Sequence, residues 1–154
     1  MDRSTVELVG LITANSRAVA YDLVEPLLRV LMTCHSTFGG DLEKAMIMMA
    51  ITVRSSRHPD FRKLDDERAG ALAVLPGYGT NMRSVAESIG MPKETVRRKV
   101  QQLLDAGWIA RSGTHLCYSV EGYNAVEPVR NMVTQMYARG YGVVGALARA
   151  AVPN

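Results

Sequence analysis

The chain has 154 residues, 47% of them hydrophobic, with a net charge of +3 and two cysteines. Those values exclude wholesale disorder and a disulfide-stapled mini-scaffold; they fit one domain, or a small module with helical extensions. The charge is uneven: residues 1–76 carry nine Lys/Arg against ten Asp/Glu, and residues 77–154 nine against five. The basic excess in the second half is the distribution expected if that half meets a polyanion.

Met1-Asp2-Arg3-Ser4 lacks the basic and apolar regions of a signal peptide. The most apolar stretch, Ala45 to Val53, is far shorter than the ~20 residues of a membrane-crossing helix. A soluble, cytoplasmic protein with reduced thiols and no membrane partner is expected. Ser4 followed by Glu7 reads as a capping box, opening a short helix with Val6, Val9, Leu11 and Ile12 as apolar members. From about Arg17 to Phe38, Val19, Leu23, Val24, Leu27, Leu28, Val30 and Leu31 recur at helical spacing. Pro26 predicts a kink or a fresh start. Gly39-Gly40 ends the segment, and Asp41 is placed to cap the next helix.

That helix, about Asp41 to Ser56, is apolar on nearly all sides, through Leu42, Ala45, Met46, Ile47, Met48, Met49, Ile51 and Val53. Such a helix is buried all round, within the domain or by a second subunit. Its methionines read as core rather than as an adaptable ligand pocket. Residues 58–80 break the pattern, with polar runs and the turn cluster Pro76-Gly77-Tyr78-Gly79. A long connection is predicted there, with one short helix around Glu67 to Leu75.

Residues 81–107 carry the strongest local signals. Asn81 can cap a first helix whose Val85 and Ile89 share a face; Ala86 is small where a second helix must cross, and Gly90 suits a left-handed exit. Met91-Pro92 cannot continue that helix, and Pro92 suits the first turn of another. The second helix, about Pro92 to Ala106, buries Val96, Val100, Leu103 and Leu104 and turns Lys93, Thr95, Arg97, Arg98, Lys99 and Gln101 outward. A solvated cationic face is the ordinary reading of such a run. Its company, a helix and a Gly-Pro turn at this spacing, favours a helix that enters a major groove, where Arg suits guanine and Gln adenine. Gly107 stops the helix. Trp108 to Arg111 and His115 to Val120 then read as two strands around Ser112-Gly113-Thr114, with Leu116, Tyr118 and Val120 on one face and His115 and Cys117 on the other.

The run "SVAESIGMPKETVRRKVQQLLDAGWIARSG" resembles the winged helix-turn-helix of prokaryotic transcriptional regulators, the IclR and MarR types above all. "IGMPKETV" is similar to the turn and recognition-helix start of the IclR type, and "YSVEGYNAVEPV" to the exit from the wing in MarR-like proteins. The resemblance covers residues 81–122, about a quarter of the chain. It implies a mainly α fold: a winged helix-turn-helix, with a three-helix core and two-stranded β-wing, between N- and C-terminal dimerisation helices. It also implies sequence-specific binding of double-stranded DNA. The DNA-reading candidates are Arg83, Lys93, Glu94, Thr95, Arg97, Arg98 and Gln101, with Arg111, Ser112, Thr114 and His115 in the wing. Three departures stand out: Lys99 occupies a position that is more often apolar, the 58–80 connection is long for the usual approach to the second helix, and the large ligand-binding domain of full IclR-type regulators is not expected here.

Glu121 to Ala151 returns to helical spacing. Pro128 starts the long piece, Val129, Met132, Val133, Met136 and Tyr137 form its stripe, and Gly140-Tyr141-Gly142 is expected to bend or break it. The chain thus divides into N-terminal helices (1–57), a connection (58–80), the DNA-binding motif (81–120) and a C-terminal helical segment (121–154). The flanking helices carry more apolar surface than the small module can cover, which predicts a two-fold homodimer. The G-x-G-x-x-G of Gly140 to Gly145 follows no strand and leaves no room for a βαβ unit. His115 and Cys117 share a strand face, but Cys34 and His35 are adjacent in sequence, a poor arrangement for joint chelation from a helix. No cofactor, metal or catalytic activity is expected, and an effector, if there is one, goes unnamed. The alternatives are a winged-helix adaptor that binds protein rather than a DNA sequence, and a small-molecule sensor without DNA binding.

Overall fold

The structure, a computed structural model of the chain, describes residues 3–64 and 71–150. It is mainly helical with one small antiparallel sheet. The elements run α1 (Arg3–Ala14), α2 (Ala20–Thr37), α3 (Leu42–Ser55), α4 (Pro59–Arg62), α5 (Met82–Ile89), α6 (Lys93–Asp105), β1 (Ile109–Ser112), β2 (His115–Tyr118), α7 (Val120–Ala125) and α8 (Glu127–Ala150). Among the described residues no helix is long and apolar enough to cross a membrane. The chain forms two compact units, one of Cys34–Glu127 and one of the described parts of Met1–Thr33 and Pro128–Asn154.

In the first unit the core is built on α3. Asp41 caps this helix by accepting the Lys44 N–H at 3.1 Å. Ala45, Ile47, Met48 and Ile51 are buried, and α3 packs against α5, α6 and β2. The domain itself does not bury the helix all round: Leu42, Met46, Met49 and Val53, at spacings of three and four, form an exposed stripe on its other side. Asn81 caps α5 by accepting the Ser84 N–H at 2.9 Å, and Gly90 ends it at φ 68°. Without a Cβ, Gly90 takes this left-handed conformation at no steric cost. In α6, Val96, Val100 and Leu103 are buried and Leu104 half-buried.

β1 and β2 pair from Ile109↔Tyr118 to Ser112↔His115. The two-residue loop has φ 58° at Gly113 and a negative φ at Thr114, the signs of a type II′ hairpin turn. Leu116 and Tyr118 point into the core. Val120 does not extend their face, because the Ser119 side chain caps α7 at Gly122 N–H (2.9 Å) and the chain turns helical. Gly122 permits this turn, since a Cβ there would lie 2.0 Å from the Trp108 carbonyl oxygen.

The 58–80 connection carries more order than its composition suggests. Pro59 opens the single turn α4 with His58 as its cap. Of the helix expected around Glu67 to Leu75, residues 67–70 lie outside the described residues, and 71–75 are not helical. Val74 bridges Ser119, Leu75 N–H donates to the Tyr118 carbonyl (2.9 Å), and Thr80 exchanges two backbone hydrogen bonds with Leu116. These residues therefore lie along the edge of β2. Gly77 and Gly79 make that approach possible, because a Cβ would come within 2.8 Å of Ser55 and 2.7 Å of His115.

In the second unit, α2 runs unbroken through Pro26. Proline removes one N–H and crowds the preceding turn, but the residues around it keep helical pairing, so no fresh start occurs. α8 likewise continues through Gly140, Gly142 and Gly145 without a break. Glycine costs a helix about 1 kcal/mol relative to alanine but stops it only by turning left-handed, and none of these three has a positive φ. Arg139 of α8 forks between Asp22 (2.9 Å) and Glu25 (2.8 Å) of α2 and lies over the Tyr21 ring. Among the described residues of this unit, Val19, Val129 and the ring of Pro26 are its buried apolar groups. Val24, Leu27, Leu28, Leu31 and Met32 of α2, with Val6 and Val9 of α1, are exposed.

Lys99 is not part of an outward cationic face, as the sequence pattern suggests. Its side chain is 12% exposed and pairs with Asp41 and, at 3.3 Å, Glu43, tying α6 to the start of α3. A long aliphatic stem lets Lys occupy an apolar position while its ammonium reaches a carboxylate. Burial opposes ionisation of Asp41, but hydrogen bonds from Lys99 and from the Lys44 N–H outweigh it and hold the carboxyl below its ordinary 3.8. Because the folded-state pKa is depressed, the pair's full contribution is present above the unfolded value and lost as pH falls through the folded one. Asp41→Asn keeps a capping side chain and removes the charge. It is expected to cost about 1.5–3 kcal/mol at neutral pH, with the gap to wild type closing as the pH falls from the ordinary 3.8 through the depressed folded-state value; urea unfolding across pH checks both.

Candidate nucleic-acid interface

The outward side of α6 follows from its inward one. With Val96 and Val100 at 0% exposure, the 100° step of the helix leaves Lys93, Glu94, Arg97, Arg98 and Gln101 exposed, and Thr95 half-buried at the margin. Three of these side chains, Glu94, Arg97 and Gln101, are engaged within the helix. Arg97 makes a two-pronged contact with Glu94, Nε to Oε2 at 3.0 Å and Nη2 to Oε1 at 2.6 Å. Gln101 donates to Asp105 at 2.8 Å. Among the described residues Lys93 and Arg98 have no ion-pair partner, so their charges face solvent.

The other expected positions lie on neighbouring elements. Arg83 is exposed on α5 and pairs with Glu87 at 2.7 Å; Lys93 is close enough to favour the ionised form of the same glutamate. Arg111, Ser112 and Thr114 are exposed around the hairpin turn. β1 packs against α6, so the hairpin is anchored to the helix whose outward face is cationic. His115 is also exposed, but it shares a cleft with Arg54 of α3, with Arg57 just beyond that helix, and with Ser84 of α5 and its cap Asn81. These two arginines, in the last turn of α3 and just beyond its end, stand in the sequence as Arg54-x-x-Arg57, a pair that its pattern alone does not single out.

The electrostatics of the face are those of exchangeable surface pairs. The Arg97 guanidinium holds the Glu94 carboxyl below its ordinary 4.5, and Arg83 does the same for Glu87. Both carboxylates are well exposed, and such pairs contribute little to stability. A phosphate can therefore replace Glu94 on Arg97 at small cost to the fold, with the two-pronged guanidinium geometry preserved. No cluster of three or more His, Cys, Asp or Glu side chains suited to a metal ion occurs among the described residues. Cys34 is buried, which pushes its thiol pKa up. Gly140 to Gly145 lie within α8 rather than after a strand.

Comparison with family models, curated proteins and solved structures finds no match for this chain.

The Glu94–Arg97 contact is open to a direct test. Side-chain NMR titration is expected to place the Glu94 carboxyl below 4.5, and Arg97→Gln to return it upward toward that value. An unchanged midpoint in the variant would show that the contact does not persist in solution.

Proposed function

We propose that the chain is a sequence-specific, double-stranded DNA-binding transcriptional regulator of winged helix-turn-helix type. In this reading α3, α5 and α6 are the three-helix core, α6 the recognition helix and β1–β2 the wing. The observation that carries it is the division of α6: one face fully buried through Val96, Val100 and Leu103, the opposite face cationic and exposed through Lys93, Arg97 and Arg98. A helix held from behind by α3 and α5 presents that face as a rigid unit, as insertion into a major groove requires. Arg97 is placed for base-edge or phosphate contact after exchanging Glu94; Lys93 and Arg98 serve as phosphate partners. Arg83 on α5 and Arg111, Ser112, Thr114 and His115 on the wing meet the flanking backbone or groove. Such a regulator would meet its operator in the cytoplasm.

The same reading includes a two-fold dimer through the N- and C-terminal helices. Val24, Leu27, Leu28, Leu31 and Met32 follow i, i+3, i+4, i+7 and i+8 along α2, and each is about half exposed or more. A helical unit with so few buried apolar residues of its own gains most by covering that stripe with a second copy, at about 1.5–3 kcal/mol per fully buried side chain. Two copies related by a two-fold axis would present two recognition helices to a pseudo-palindromic site.

Selection of bound duplexes from a random library is expected to enrich a two-fold motif. Arg98→Ala is expected to weaken binding across sequences and lower the slope of log affinity against log salt by about 0.9. Arg97→Ala is expected to relax preference at one or two positions, at about 1–3 kcal/mol. No enriched motif at low salt, with folded protein, would favour the adaptor reading instead. Sedimentation is expected to show a dimer that Leu28→Asp with Leu31→Asp converts to monomer; a wild type that stays monomeric at every concentration would remove the dimer from the proposal.

A further inference from the structure

We propose that the cleft between the C-terminal half of α3 and α5 binds an organic anion, a carboxylate carried on a hydrocarbon body. The cleft encloses about 390 Å³, within the size range of small-molecule sites. Arg54 lines it from the last turn of α3, Arg57 from the turn just beyond that helix, and His115 from β2. Among the described residues no aspartate or glutamate lines it. Elsewhere Arg29, Arg83, Arg97 and Arg139 each sit on a carboxylate, whereas neither Arg54 nor Arg57 has such a partner among the described residues. Arg54 is instead stacked loosely over the Tyr78 ring, 6.0 Å from its centre, which steadies the guanidinium without neutralising it. Asn81 spends its carbonyl oxygen on the Ser84 N–H, so its amide N–H groups remain as donors beside the Ser84 hydroxyl.

The opposite end of the cleft is apolar. Ala50, Val53 and Ser88 also border a second hollow of about 350 Å³ along the same two helices, where Met46, Met49 and Ile89 form the wall. Val53 is 54% exposed and Met49 47%, so this trough has no cover within the unit. Methionine walls adapt to varied apolar shapes. A charge-rich end thus runs into an oily one across shared residues. Inorganic phosphate or the DNA backbone would use only the arginine end, and a neutral hydrocarbon only the trough. A carboxylate on a hydrocarbon body uses both. His115 stands at the start of β2 beside the hairpin turn, so an occupant touching it would bias the hairpin; this regulatory consequence rests on the DNA-reading proposal, while the binding itself does not.

The test is calorimetric titration of the full chain with decanoate below its micelle concentration, without DNA, with decanol and acetate as comparators. Backbone amide NMR follows where the ligand sits. Saturable binding of one decanoate per chain is expected, at least tenfold tighter than either comparator, with shifts at residues 50–57 and 81–89. Arg54→Gln with Arg57→Gln, and separately Val53→Asp, are expected to weaken it at least tenfold while urea unfolding stays close to wild type. Both sets of positions are exposed, and the two variants attack different ends of the site. Equal affinity for decanol, undiminished affinity in the arginine variant, or shifts confined to the exposed stripe of α2 would overturn the proposal. So would saturation by an acidic amphipathic peptide without any response to decanoate, which would assign the surface to a protein partner. Because no DNA is present, failure here leaves the duplex-selection result standing, and failure of that selection leaves this binding measurable.

Discussion

Burial of Ala45, Ile47, Met48 and Ile51 on one side of α3 is the constraint from which the arrangement of residues 34–127 follows. α5, α6 and β2 all pack on this helix, so each is positioned by reference to it rather than to solvent. Close packing makes such a centre intolerant of volume change. Three features without large apolar groups serve the same end. Lys99 reaches back to Asp41 and Glu43, Gly77 lets the chain pass against Ser55, and Gly122 lets α7 begin under the Trp108 carbonyl.

A helix held so firmly from behind has little freedom in what it shows in front. The cationic surface of α6 is therefore a rigid array, and its arginine pairing is local: Arg97 to Glu94 on the same helix, Arg83 to Glu87 on α5. Exposed pairs of this kind can be exchanged for a ligand's oxygens without disturbing the core. Arg54 in the last turn of α3 and Arg57 just beyond it, neither on a carboxylate among the described residues, occupy a different setting. Arg54 and Arg57 face a concave surface that continues into an apolar trough, which makes ligand shape as well as charge relevant there.

The helical unit poses the opposite problem. Its polar contacts are well developed, with Arg139 forked between Asp22 and Glu25, yet Val19 and Val129 are its buried aliphatic anchors. Ion pairs at the surface do not compensate for uncovered apolar area. The stripe of Val24, Leu27, Leu28, Leu31 and Met32 on α2 is uncovered in this unit, and it is the surface that the proposed dimer would cover.

The features legible from sequence were those decided within a few residues. Asn81 as a cap, Gly90 as a left-handed exit, the two-faced pattern of α6 and the Gly113 turn are all set by local hydrogen bonding and steric rules. Asp41 as the cap of α3 belongs with them. Tertiary context decided the remainder. Pro26 and the glycines of α8 carry breaker signals that surrounding helical residues override, because local penalties of a few kcal/mol are weak against an extended helix. Lys99 joined the interior because two carboxylates 56 and 58 positions earlier stand beside it. Thr80 pairs with Leu116, and His115 shares a cleft with Arg54 and Arg57. No periodicity encodes such meetings; they exist only once α3 and β2 have packed, since hydrophobic burial is non-directional and leaves the choice of neighbours to the whole fold.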